Sequence, residues 1–166
     1  MQDYIISMLV ENQPGVLARI AGMFTRRDMN ITSLTVSPCE KEGKSRMTLT
    51  FRGDERGLES TLKQLNRLIE VVKVRNLSFE RAVYRDLCLV KVATADASVR
   101  QEVIGLAEAA GGKAVGVGVD HLILERVGSP TKIDNFISIF DKFEAEELVR
   151  SGVIALSFED ESDERK

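Results

Sequence analysis

The chain contains few of the residues on which catalytic and metal sites depend. Its 166 residues include one histidine, two cysteines and no tryptophan, and aromatic residues make up 5% of the total. Cys39 and Cys88 lie far apart, without the close spacing of metal or redox motifs, so we expect reduced thiols in a cytoplasmic protein. His121 has no carboxylate or cysteine at ligand spacing, which favours a structural histidine over a metal ligand or a triad member. The composition therefore predicts neither a metal site nor a catalytic residue in this chain.

An excess of basic residues and a long apolar run are also missing. The net charge of −3 gives the whole molecule no electrostatic attraction for nucleic acid or for anionic lipid. No apolar run approaches the length of a membrane span, and the first residues lack the basic region of a signal peptide. We therefore expect a protein that binds neither nucleic acid nor membrane and that is not secreted.

Strand and helix patterns succeed one another regularly in the first half. Side chains of alternating polarity predict a strand at 3–12, and apolar residues at helical spacing predict a helix from Pro14 to about Asp28. Further patterns predict strands at 30–36, 46–51 and 72–77 and a helix after Asp54 with apolar residues Leu58, Leu62, Leu65 and Ile69. The order βαββαβ is that of a ferredoxin-like module, whose antiparallel sheet carries both helices on one face and leaves the other face open.

The same order begins again at Tyr84. A strand pattern at 87–92 precedes a helix that we expect Ser98 and Gln101 to cap and Gly111-Gly112 to end. Strand patterns at 115–119 and 122–127, a helix opened by Ser129-Pro130 and a strand at 153–158 complete the second copy. The expected fold is therefore α+β, with two ferredoxin-like βαββαβ modules at residues 1–79 and 84–158 and an acidic disordered tail at 159–166.

Two features that resemble catalytic motifs have simpler explanations. Gly116 and Gly118 suggest a phosphate loop, but His121 stands where a G-x-G-x-x-G motif requires glycine, and close backbone packing accounts for both glycines. The carboxylates Glu144, Glu146 and Glu147 cluster on predicted surface, where charged runs usually serve only solvation.

The most informative segment is the junction between the first strand and the first helix, Asn12-Gln13-Pro14-Gly15-Val16-Leu17. One interpretation is structural: Asn12 caps the helix, and Pro14 occupies its first turn, where a missing N–H is harmless. The other is functional: Asn12 and the backbone N–H groups of Gly15, Val16 and Leu17 hold a small carboxylate, which glycine allows to approach the backbone. The sequence pattern alone does not decide between the two.

The junction and three other segments together resemble a known family. With residues 26–36 (RRDMNITSLTV) and 45–48 (SRMT), the junction resembles the amino-acid-binding ACT domain of acetolactate (acetohydroxyacid) synthase small regulatory subunits. Residues 89–92 (LVKV) and 151–156 (SGVIAL) are similar to the second domain of those subunits. The resemblance extends through most of the chain.

The resemblance implies an effector site shared between two copies of the chain. In that family two ACT domains associate so that their sheets continue side by side, and a branched-chain amino acid, usually valine, binds at the interface. The resemblance places the effector contacts of one chain at the junction, on Asn12, Gln13, Pro14, Gly15, Val16 and Leu17. It places the contacts of the partner chain on Asn30 and Ile31. Asn30 both donates and accepts hydrogen bonds, which suits a zwitterion, and Val16, Leu17 and Ile31 are candidates for the apolar wall.

The resemblance also implies a function and a partner. The chain would be a non-catalytic subunit that binds the acetolactate synthase catalytic large subunit, activates it and confers feedback inhibition by valine in branched-chain amino acid biosynthesis. It would carry no cofactor; thiamine diphosphate, Mg²⁺ and, as a further candidate, FAD would belong to the catalytic partner. An alternative is a stand-alone ACT-type sensor that regulates another enzyme or a transcription factor. An RNA-binding module is disfavoured, since the middle strands lack the exposed aromatic residues that such a surface needs.

Overall fold

A computed structural model describes residues 1–143 and 145–159 of the chain. The chain divides into two compact units, the first made of residues 1–83 together with the described residues from 153 to 159, the second of Tyr84–Gly152. The helices are α1 (Val16–Thr25), α2 (Glu55–Leu65), α3 (Ala97–Ala109) and α4 (Pro130–Ile139), and the strands are β1 (Gln2–Glu11), β2 (Ile31–Pro38), β3 (Lys44–Gly53), β4 (Val71–Asn76), β5 (Ala82–Ala93), β6 (Lys113–Val117), β7 (His121–Gly128), β8 (Ala145–Arg150) and β9 (Ile154–Ser157).

The first unit is a four-stranded antiparallel sheet in the order β2-β3-β1-β4, with α1 and α2 on one face. The alternation in β1 and β3 turns every second side chain towards the helices, because successive side chains of a strand point to opposite faces. These side chains meet the apolar stripes of both helices in one core, which includes Tyr4, Ile6, Met8, Met47, Leu49, Phe51, Ile20, Phe24, Leu58 and Leu65. The predicted ferredoxin-like arrangement is confirmed for this unit.

The second unit repeats the arrangement with the strand order β6-β7-β5-β8. Its core joins β5 and β7 to α3 and α4 through fully buried side chains, among them Val90, Val92, Leu124, Val103 and Phe136. Gly111 has a left-handed φ of 74°, and the N–H of Gly112 bonds back to the Ala107 carbonyl at 2.7 Å, which ends α3 as the sequence predicts. The α+β class with two ferredoxin-like modules is therefore confirmed.

The second sheet includes β8, a strand that the sequence pattern did not predict and that lies beside β5. β9, which lies in the predicted segment 153–158, also pairs with β5 and is the fifth strand of this sheet. All six residues of β8 are exposed, so the strand has no buried alternation by which a sequence pattern reveals a strand. By its contacts, the segment 153–159 is grouped with the first unit, and Val153 is hydrogen-bonded to Ser33 and Thr35 of β2 on the sheet face that was expected to be open. Of the predicted tail at 159–166, only Glu159 lies within the described residues.

Two helix boundaries also differ from the expected ones. Asp96, not Ser98, caps α3, because its carboxylate accepts hydrogen bonds from the N–H groups of both Ser98 and Val99. Helix α2 ends at Leu65, and Ile69, expected on its apolar stripe, is 91% exposed beyond it. Both differences fall at helix ends, where a periodic pattern locates boundaries least well.

Candidate functional site

The helix that follows the junction begins without a side-chain cap. Gly15 is the N-cap residue of α1, with φ 87° and ψ −11°, and no side chain accepts a hydrogen bond from the first turn. The structural interpretation, in which Asn12 caps the helix and Pro14 lies in its first turn, is therefore wrong. The N-cap lies three residues later than Asn12, and glycine provides the left-handed conformation that this turn requires.

Two backbone donors at the start of α1 have no acceptor among the residues that the structure describes. The Arg19 N–H makes the first helical bond, to the Gly15 carbonyl at 3.0 Å, and the Val16 N–H makes a long contact of 3.4 Å with the Gln13 carbonyl. For Leu17 and Ala18, no acceptor within the described residues bonds to the backbone N–H. Free N–H groups and the positive end of the helix dipole together favour a carboxylate at this position.

The surface around these donors is open. Asn12, Gln13, Pro14 and Gly15 are exposed, and a Cβ built on Gly15 would have no atom of other residues within 4 Å. Leu17 is 44% exposed and offers apolar surface next to the free N–H groups. A small ligand can therefore reach the backbone at this helix end from solvent.

Val16 differs from the other predicted contact residues. Its side chain is 6% exposed and packs in the core of the first unit. Val16 therefore cannot contribute its side chain to an apolar wall at the surface, and only its backbone faces the junction. Leu17 and Ile31 are the candidates that remain for that wall.

Hydrogen bonds hold the junction on both sides. The Glu11 N–H donates to the Glu70 carbonyl at 2.8 Å, and the Asn12 N–H donates to the Gly43 carbonyl at 2.9 Å. The Glu11 carboxylate is ion-paired with Lys44, and Glu70 with Arg19 of α1. Bonds to several elements fix the path of the backbone before the helix begins, so the free N–H groups point in a defined direction.

Asn30 and Ile31 lie at the other end of the same sheet. Glu11, next to Asn12, pairs with Lys44 at the start of β3, whereas Ile31 pairs with Phe51, seven residues further along that strand. At the rise of a β-strand this separation is about 23 Å. One chain therefore does not bring Asn30 and Ile31 to the junction, and a site that uses both sets of residues needs a second copy of the chain.

The remaining candidates have structural environments. His121 Nδ1 lies 2.9 Å from Asp120 Oδ1, and this hydrogen bond lowers the pKa of the Asp120 carboxyl. A Cβ on Gly118 would overlap the His121 ring, and one on Gly116 would lie 3.1 Å from Ile123, so close packing explains both glycines. Across residues 1–143 and 145–159, no group of three His, Cys, Asp or Glu side chains is placed to hold a metal ion.

The cluster of carboxylates in β8 is also accounted for. Lys91 Nζ lies 2.8 Å from Glu146 Oε2, and this hydrogen-bonded pair raises the pKa of Lys91. Glu147 is exposed on the same strand, and the side chain of Glu144 lies outside the described residues. An ion-paired residue and an exposed neighbour do not form the pair of carboxyl groups that acid–base catalysis requires.

Two family models match the chain in succession. One, described as an AHAS small subunit-like ACT domain, matches residues 6–73, and the other, described as the small subunit of acetolactate synthase, matches residues 85–159. The first unit is thus an ACT-type module, and the chain is of the class in which such a module precedes a second ferredoxin-like one. In the described part of the chain, no helix has the length and apolar character needed to cross a membrane.

Individual relatives cover nearly the whole chain. It is 47% identical over 154 residues to the probable acetolactate synthase small subunit of Methanothermobacter thermautotrophicus, spanning 93% of this chain and 92% of that one. Identity to the probable acetolactate synthase small subunit of Archaeoglobus fulgidus is 42% over 153 residues, with coverage of 92% and 95%. The crystal structure of the acetolactate synthase small subunit from Thermotoga maritima matches with a TM-score of 0.85 at 34% identity and covers 96% and 99% of the two chains. The chain belongs to the acetolactate synthase small subunit family.

Proposed function

We propose that this chain is the regulatory subunit of an acetolactate synthase in the cytoplasm. It binds the thiamine-diphosphate-dependent catalytic large subunit, activates it, and transmits feedback inhibition when a branched-chain amino acid, first of all valine, binds to the ACT module. Condensation of pyruvate belongs to the catalytic partner, together with thiamine diphosphate, Mg²⁺ and any FAD. Membership of the small-subunit family supports the partner.

The observation that carries the effector site is the uncapped start of α1. Two backbone N–H groups, of Leu17 and Ala18, have no acceptor in the described chain, and they face an open surface at Gly15. The effector carboxylate accepts from these donors and from the Asn12 amide. Leu17 contributes an apolar contact for the aliphatic side chain, and Val16 contributes its backbone alone.

A second copy of the chain completes the site in this proposal. Asn30 of the partner subunit binds the ammonium group through its amide oxygen, and Ile31 of the partner subunit packs against the aliphatic side chain. The support for a shared site is geometric, since Asn30 and Ile31 lie at the far end of the sheet from the junction within one chain. The chain is therefore a homodimer through its ACT module.

Regulation requires that the effector bind one arrangement of the dimer better than another. A difference of about 1–3 kcal/mol in binding free energy between the two arrangements changes activity by about fivefold to more than a hundredfold. Equal affinity for both arrangements would produce no regulation, however tight the binding.

Titration calorimetry on the full chain tests the effector site. We expect binding of valine to the wild type and its loss in Gly15→Asp, because a carboxylate at residue 15 occupies the position of the ligand's carboxylate and repels it. Leucine and isoleucine, titrated in the same way, show which effector is preferred.

Gly15→Ala is the matched control for backbone strain. The left-handed φ of Gly15 imposes about 1–2 kcal/mol of strain on either substitution, whereas the space around its Cβ is open. We expect Gly15→Ala to retain more of the valine binding than Gly15→Asp at a similar loss of stability. Wild-type affinity in Gly15→Asp would place the site elsewhere.

A further inference from the structure

The chain from Val153 to Glu159, which we call the C-terminal strap, is attached to an edge strand of the first sheet. Thr35 Oγ1 donates to the Val153 carbonyl at 3.1 Å, and the Val153 N–H donates to Ser33 Oγ at 3.2 Å. Ser33 and Thr35 point to the same face of β2, away from the helices, because they are two residues apart on one strand. Two side chains of β2 therefore bond to both backbone groups of Val153, its N–H and its carbonyl.

The other end of the strap is attached to the opposite edge strand. Arg75 of β4 donates to Ser157 Oγ at 3.2 Å and to the Glu159 carbonyl at 3.1 Å, and its guanidinium also pairs with Glu80 at 2.7 Å. Between the two attachments, Val153 and Ala155 are 7% and 8% exposed.

The strap thus spans the width of the sheet. β2 and β4 are the outer strands of the four, so their separation is about 14 Å, and the four-residue step from Val153 to Ser157 covers about the same distance when extended. The strap is held at both ends by the outer strands, and between them β9 pairs with β5, next to which the Phe158 N–H donates to the Arg81 carbonyl at 3.0 Å. A shift of either outer strand therefore acts on a segment that is also bonded to β5.

Strand β2 links this strap to the proposed effector site. Ile31, the first residue of β2, is one of the proposed contacts, and Ser33 is two residues further along the same strand. In the other direction, Val153 follows Gly152, the last residue of the second unit. The strand that would respond to the effector therefore holds the residue at which the chain leaves the second unit.

We propose that Ser33 and Thr35 are positioning residues that couple effector binding in the ACT module to the second unit through the strap. When the effector contacts Asn30 and Ile31, β2 shifts. Because the Ser33 and Thr35 hydroxyl groups are bonded to Val153, Val153 moves with the strand. This inference rests on the proposed function, but it makes a separate claim: effector binding and effector response depend on different residues of one strand.

The test uses the full chain reconstituted with the catalytic subunit. The double variant Ser33→Ala/Thr35→Val removes both hydroxyl groups while nearly preserving side-chain volume. Ser37→Ala is the matched control, because Ser37 lies on the same face of β2, is exposed and does not bond to the strap. Three quantities are measured: the affinity for valine by calorimetry, the inhibition of acetolactate formation at saturating valine, and hydrogen exchange of the strap amides with and without valine.

We expect the double variant to bind valine within about twofold of the wild-type affinity while its inhibition falls by about fivefold or more, the size of an ordinary coupling factor. Valine changes the exchange of the strap amides in the wild type and in Ser37→Ala, and it leaves them unchanged in the double variant. A strap that serves only stability would lower the unfolding midpoint without separating binding from inhibition.

The failures of the two proposals are distinguishable. If the wild type does not bind any branched-chain amino acid, the proposed function is overturned, and the coupling falls with it. If the wild type binds and the double variant is inhibited as strongly as the wild type, the coupling role alone is overturned. Loss of valine binding in the double variant also overturns it, since these side chains would then shape the pocket itself.

Discussion

At the scale of single residues, the exposed side chains at the junction contribute to the proposed site and little to the fold. Asn12 is exposed, and no hydrogen bond from its side chain exists within the described residues. We expect Asn12→Ala to weaken valine binding by about tenfold or more, since a hydrogen bond to a charged group contributes about 1.5–3 kcal/mol. The free energy of unfolding should change by less than about 0.5 kcal/mol.

Calorimetry and urea unfolding of the same preparations check this prediction. Asn135→Ala is the control, because Asn135 is also exposed but lies on α4 of the second unit. It should leave both the affinity and the stability unchanged. A loss of stability in Asn12→Ala that accounts for the loss of binding would contradict the assigned role.

Residue patterns predicted the position of the junction but not its geometry. The sequence Asn-Gln-Pro-Gly indicates a turn before a helix, and the glycine does take a left-handed conformation. The assignment of Asn12 as the cap failed because the chain needs all of residues 12–15 to turn, and that path is set by hydrogen bonds to Gly43 and Glu70, which are distant in sequence. Likewise, burial of Val16 depends on packing that no local pattern reports.

At the scale of elements, an ion pair with a buried carboxylate adds to the backbone pairing of β8 with β5. The Asp86 side chain on β5 is 1% exposed and accepts hydrogen bonds from Arg150 Nε at 2.8 Å and from Ser151 Oγ at 3.0 Å. Burial disfavours the charged Arg150 guanidinium, but its hydrogen bonds to Asp86 and Asp134 outweigh this effect and raise its pKa. The charged state of Arg150 is therefore secured in the fold.

We expect Asp86→Ala to destabilise the chain by about 1–3 kcal/mol, because Arg150 and Ser151 lose a buried acceptor, while Arg150 remains partly exposed and paired with Asp134. Asp134→Ala is the matched control: it removes the other carboxylate at Arg150, but one that is 62% exposed, and should cost about 0–1 kcal/mol. Urea unfolding of the two variants measures both. Equal losses would show that burial of Asp86 adds nothing to the pair.

Most elements could be predicted from periodicity, and the failures have a common cause. Patterns of period two or near four report burial, so they located the strands and helices whose faces enter a core. Strand β8 has no buried residue, and the strap alternates like a strand without revealing which sheet it joins. Membership of a sheet depends on backbone pairing between residues distant in sequence, such as the pairing of β9 with β5.

At the scale of the whole molecule, a shared site makes complementation between subunits possible. Gly15→Asp damages the helix end, and Asn30→Ala damages the partner's contribution, so each homodimer has no intact site. A mixed dimer of the two variants has one intact site and one site with both defects, because the interface is two-fold. Random mixing makes half of the dimers mixed, which restores about a quarter of the wild-type number of sites.

Calorimetry on the two variants, unfolded and refolded together, checks this expectation against each variant refolded alone. Recovery of about a quarter of the sites at wild-type affinity supports a site made by two chains. If binding does not return although mixed dimers form, a site shared by two chains is contradicted. Normal binding by Asn30→Ala alone would show that Asn30 does not contact the effector. Sequence patterns could not have settled this point, since they do not show that β1 ends about 23 Å from the start of β2 along the sheet.

The rate of acetolactate formation by the catalytic large subunit, measured without this chain, with it, and with both the chain and valine, tests the central claim most directly. The account predicts a rate that rises when the chain is added and falls again when valine is added. A rate that is the same in all three samples, with a complex shown to form, would contradict it.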